Sequence, residues 1–164
     1  MTKNILLEQF TTCFDKNGWF VALKNALAGV TAQQAAWKPE GTDNSIWEII
    51  SHLNYYNNAY LERFRGGDFE YKISSNDETF AQSGAPSESD WQKEIERFDS
   101  IMTGWRDELE KTNDSRLSEV APPHRESPWW KVIANINTHN AHHGGQVVLL
   151  RKLQGSWDAA RGVS

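Results

Sequence analysis

Residues 127–153 read SPWWKVIANINTHNAHHGGQVVLLRKL, and the spacing within this stretch decides the fold. Val132, Ile136, Leu150 and Leu153 recur in alternating steps of four and three, the seam of a helix packed in a bundle. Ser127 before Pro128 places a cap residue ahead of a first-turn proline, and Gly155 is the stop just past Leu153. Between its oily ends the same seam passes through His139, His143 and Gln146. Successive residues turn by about 100°, so His139 and His143 differ by about 40° in direction and about 6 Å along the axis. Both rings can reach one point, and Gln146 lies a turn further along the same line. A buried polar group without a partner costs roughly 1–3 kcal/mol. One divalent metal ion accepting a lone pair from each neutral imidazole would remove that cost for both.

Three further helical segments lie upstream. The first spans about Asn4 to Ala28, with Leu6, Phe10, Cys13, Phe20 and Leu27 on one side. The second opens at the capping box Ser45-Ile-Trp-Glu48, runs through Ile46, Ile49, Leu53, Tyr56, Tyr60 and Phe64, and stops at Gly66-Gly67. The third opens at a capping box, Ser89-Asp-Trp-Gln92, and carries Trp91, Ile95, Phe98, Met102, Trp105 and Leu109. Pro122, Pro123 and Pro128 mark the loop before the fourth. The polar stretch from Asp68 to Glu88 could hold a short extended piece at Phe69 to Ile73. Its length suits a crossover joining two parallel helices. The expectation is one all-α domain over residues 1–164, a four-helix bundle with a long crossover between helices two and three.

A facing helix must complete the metal site. The second segment offers one histidine, His52, at the edge of its Ile49–Leu53–Tyr56 stripe. His142 could pair with His139 at a spacing of three, but His143 shares the seam of Gln146 and Leu150 and is the choice. His124 falls in the proline-rich loop and is expected in solvent. No histidine has Glu or Asp three residues before it, which excludes the paired Glu-x-x-His motifs of a di-iron bundle. His-Glu-x-x-His, paired-cysteine zinc motifs and Gly-rich phosphate loops are also missing. Tyr56, one turn beyond His52, and Gln146 are candidates to orient a ring or a ligand; core packing explains the tyrosine equally well. Trp47, Trp129 and Trp130 are possible pocket walls, with core packing again the alternative. Glu48 is explained by its capping box.

The composition is that of an ordinary folded chain, with 24% charged and 38% hydrophobic residues and a net charge of −5. Its basic residues are scattered, with no run longer than Arg151-Lys152, which argues against nucleic acid or a membrane surface as partner. The N-terminal residues lack the apolar run of a signal peptide. The single cysteine, Cys13, excludes an internal disulfide and reads as a small core residue. Together these features predict a cytoplasmic protein. The eight tryptophans supply large amphipathic surfaces for a pocket or a subunit contact.

The stretch Ser45-Ile-Trp-Glu-Ile-Ile-Ser-His52-Leu, with His139-Asn-Ala-His-His143-Gly-Gly-Gln146-Val-Val-Leu-Leu-Arg151-Lys-Leu, resembles the DinB-like (YfiT-like) superfamily. The resemblance extends along the whole chain in helix order and length. It implies an up-down-down-up bundle, homodimers in many members, and nickel or zinc held by the residues matching His52, His139 and His143. It also implies a metal-dependent enzyme, such as a thiol S-transferase or a hydrolase, that activates a low-molecular-weight thiol or water against a small electrophilic substrate. The alternative is a non-catalytic metal-dependent binding or stress-response module.

Overall fold

Four apolar stripes in the chain are long enough to build a bundle, and the computed structural model, which describes residues 1–41, 44–82, 84–122 and 126–161, forms it from them. The long helices are α1 (Thr2–Phe14), α4 (Ile46–Phe64), α5 (Glu88–Lys111) and α7 (Trp129–Leu153). Three short helices fill the corners: α2 (Leu23–Leu27), α3 (Ala32–Ala36) and α6 (Asp114–Ser118). No strand occurs among the described residues, so the extended piece expected at Phe69 to Ile73 does not form. That segment is instead tied down irregularly, with Arg63 donating to the Phe69 carbonyl and the Tyr71 hydroxyl.

Side-chain pairings fix the topology. Lys3 of α1 reaches the Glu110 carbonyl, and Phe14 packs on Phe98, so α1 and α5 are antiparallel. Asn54 donates to Glu94 while Arg65 meets Glu108, so α4 and α5 are parallel. His52 meets His139 while Phe64 meets Trp129, so α4 and α7 are antiparallel. The order is up-down-down-up. Residues 65–87 are the crossover that the parallel pair requires, with a 3-10 turn at Asn76–Thr79.

Helix ends follow local chemistry. Ser45 and Glu48 form the expected capping box, and Gly66 and Gly155 take positive φ just beyond α4 and α7. Two starts differ from expectation. Ser87, not Ser89, caps α5, its hydroxyl accepting from the Asp90 amide. Pro128 itself is the cap position of α7, because its carbonyl accepts the amides of Lys131 and Val132.

The first segment is two helices, not one. Asn17 breaks it: its side-chain oxygen accepts from the Ala22 amide and the Asn25 side chain, turning the chain before α2. Phe20 therefore stands in a loop and is exposed. Cys13 is buried, as expected, with its thiol on the Asn137 carbonyl; burial pushes that thiol up to about 11. Trp91, Trp105, Phe10, Phe14 and Phe98 form the centre of the core, and the indole N–H groups of Trp91 and Trp105 donate to the carbonyls of Val30 and Asn57. No helix is long and apolar enough to cross a membrane among the described residues.

Candidate metal centre

The antiparallel packing of α4 on α7 carries His52 to the histidine pair one turn apart on α7. His52 and His143 are buried and His139 is half-buried. The Nε2 atom of His139 lies 3.0 Å from that of His52 and 3.1 Å from that of His143. One ligand nitrogen from each of the three rings falls within 4.8 Å of the others. Donors held about 2.0–2.1 Å from a common ion stand roughly 3 Å apart, the spacing seen here.

Counting protons shows what this spacing demands. The Thr79 hydroxyl donates to the Asn76 carbonyl at 2.6 Å, so it can only accept from His52 Nδ1, also at 2.6 Å. The amide oxygen of Gln146 accepts from His143 Nδ1 at 2.6 Å. Both rings thus carry their proton on Nδ1 and present a lone pair from Nε2. Two lone pairs converge on His139 Nε2, which can offer at most one hydrogen. The histidines cannot satisfy one another; a cation accepting all three lone pairs can.

A proton is a poor substitute for that cation. Burial, followed by the neighbouring His143 and His139, holds His52 down at about 3. Burial and then His143 and His142 hold His139 at about 4. His143 is also lowered, by burial, although its bond to Gln146 opposes the shift. All three rings are neutral near pH 7 and ready to ligate.

The surroundings come partly from residues whose role the sequence did not reveal. Thr79 and Phe80 arrive on the crossover, and the Phe80 ring stacks on His52 with centroids 4.0 Å apart and planes 11° from parallel. Tyr56 meets His52 edge-on at 5.0 Å, and its hydroxyl donates to Asn76. Beside the histidines, buried Asn57 and Asn140 exchange amide hydrogen bonds of 2.9 and 3.2 Å, clamping α4 to α7. Asn57 had a readable signal, since it stands on the seam between Leu53 and Tyr60. Thr79 and Phe80 had none, because their turn follows no helical period.

The rings open onto a cavity of about 460 Å³ lined also by Tyr56, Tyr60, Asn76, Phe80 and Asn135. His142 is exposed and stands at its edge, outside the cluster of ligand nitrogens. The tryptophans are elsewhere: Trp47 packs on Trp91, Trp129 on Phe64, and Trp130 points outward, so tyrosines and Phe80 form the walls instead. His124 lies outside the described residues.

Comparison with known proteins places these features in context. The profile of the DinB superfamily matches residues 21–147, a span that includes all three histidines and Gln146. No curated protein and no solved structure matches the chain.

Proposed function

The chain belongs to the DinB superfamily, and from that premise we propose a metal-dependent enzyme in which His52, His139 and His143 hold one divalent cation, nickel or zinc. Its reaction is the activation of a low-molecular-weight thiol or of water for attack on a small electrophile. The observation that carries this reading is the shortage of hydrogens among three converging Nε2 atoms. Bound there on three neutral ligands, the ion supplies a Lewis acid that can hold a thiol as thiolate or acidify water near neutral pH.

The protein's own groups do the rest. Thr79 and Gln146 fix which nitrogen of His52 and His143 is protonated, and so aim their lone pairs. Phe80 and Tyr56 brace the His52 ring on two sides and exclude water from it. The cavity beside the rings has room for a small substrate. A homodimer as the working form is what the resemblance to the superfamily implies, and sedimentation velocity tests it.

Elemental analysis of natively purified protein, followed by turnover assays with thiols and electrophiles, tests the proposal. One equivalent of nickel or zinc that His143→Ala abolishes, together with turnover, is the expected result. Protein that takes up no metal when offered nickel or zinc refutes it. Metal bound without turnover across the panel would leave the binding module instead.

A further inference from the structure

The cavity beside the three histidines is chemically uniform. Every described residue lining it is a histidine, a carboxamide (Asn57, Asn76, Asn135), an aromatic ring (Tyr56, Tyr60, Phe80) or Ile136. It is continued by a second hollow of about 390 Å³ that shares Tyr56 and Asn76 with it and adds Tyr71, Ile73, Ser74 and Ser75. Along both, the described walls offer rings, amides and hydroxyls.

Arg63, one turn beyond Tyr60 on α4, lines neither hollow. Its guanidinium donates to the Tyr71 hydroxyl at 2.7 Å and the Phe69 carbonyl at 2.9 Å, and it stacks 4.3 Å above the Tyr71 ring. It is 7% exposed. The guanidinium holds the wall in place from behind and shows the cavity only the tyrosine faces.

From this lining, and resting on the metal-centre reading, we infer that the substrate has one metal-seeking head and an uncharged aromatic body. The head would meet the ion on three neutral histidines, since the described lining residues beside it carry no carboxylate, ammonium or guanidinium. A ring beyond it lies among Tyr56, Tyr60 and Phe80, which offer edges and faces for aromatic packing. The carboxamides accept and donate hydrogen bonds to neutral polar groups. A carboxylate or ammonium seated against these rings and amides would exchange part of its water for a wall whose described residues offer it no counter-charge. A multiply charged thiol such as glutathione is therefore a poor fit.

Thiol binding to cobalt(II)-loaded protein tests this, since a sulfur-to-cobalt charge-transfer band reads out occupancy without turnover. The probes are phenylmethanethiol, 4-(sulfanylmethyl)benzoate, which has the same head and ring with a distal carboxylate, and glutathione. The expected result is that phenylmethanethiol binds at least about tenfold tighter than either charged probe. Tyr60→Ala should weaken phenylmethanethiol by about tenfold. Asn135→Lys, at an exposed helical position where the fold is not at stake, should shift the preference between 4-(sulfanylmethyl)benzoate and phenylmethanethiol toward the carboxylate by about tenfold. Equal affinities for the three probes, or an Asn135→Lys protein with unaltered preference, overturn the inference while the metal centre stands. Absence of cobalt bands before any thiol is added overturns both.

Discussion

The Nδ1 atom of His52 lies 2.6 Å from the hydroxyl of Thr79, which ties a bundle helix to a turn of the crossover 27 residues later. Because that hydroxyl is already donated to Asn76, the bond has one direction only, and it fixes the tautomer of the histidine. Partners of this kind to a metal-ligating histidine are typically worth about 10–100-fold in metal affinity. Thr79→Val keeps the shape and removes the acceptor, so it should weaken nickel or zinc binding by about that factor, while Thr79→Ser restores it. Competition titration against a chromophoric chelator measures both. Wild-type affinity in the valine variant would show that the bond does not orient the ring.

His139 stands between two lone pairs, so the metal-free protein should tolerate its loss. Truncating a half-buried ring ordinarily destabilises a protein, yet His139→Ala also removes the shared nitrogen at 3.0 and 3.1 Å. Metal-free His139→Ala is expected to melt no lower than metal-free wild type. Wild type should gain about 2.7 kcal/mol when metal is present at a hundredfold excess over Kd. For a chain of this size that corresponds to a rise in Tm of roughly 5–10 °C, which the variant should lose. Calorimetry with and without a chelator separates the two effects.

The parts of this molecule that a sequence can reveal are those with a period. The Ser45–Glu48 box, the seam through His139 and His143, and the stop at Gly155 follow from helical spacing alone. The straight seam fails where it is extended too far. Each heptad drifts about 20° from a true helical line, and Leu153, three heptads after Val132, is exposed for that reason. The break at Asn17 was hidden because the apolar residues on either side happen to keep step. Thr79 and Phe80 were unreadable for a different reason: their contact with His52 is made across 27 and 28 residues of irregular chain.

Acid should destabilise the metal-free protein over a defined window. His52 and His139 are held near 3 and 4 in the fold, by burial first, against an ordinary 6.5 in the unfolded chain. Between these values the unfolded state binds more protons, so stability is complete above about pH 6.5 and falls as the pH drops toward the folded values. Each histidine contributes on the order of 1 kcal/mol per pH unit within that window. Urea titrations of chelator-treated protein at stepped pH should show this decline, and His52→Gln or His139→Gln should each make it shallower. A stability that is flat from pH 6.5 to 4.5 would contradict the neutral, buried state of the rings.

The Asn57–Asn140 pair offers a test of whether the helices beside the centre are held for stability or for geometry. Each amide donates to the other inside the core, at 2.9 and 3.2 Å. Asn140→Leu leaves the Asn57 oxygen buried without its donor, and should cost about 1–3 kcal/mol. Replacing both with leucine removes donor and acceptor together, so the double variant should recover most of that loss. The bond from the Trp105 indole N–H to the Asn57 carbonyl survives either change. What the double variant should not recover is metal affinity, because the amide pair sets the distance between the helices that carry His52 and His139. Stability near wild type with affinity reduced by about tenfold is the expected pairing, read by urea melts and chelator competition on one sample. Full recovery of both would make the pair a packing feature, and the histidines would then owe their convergence to Thr79, Gln146 and the helix crossing alone.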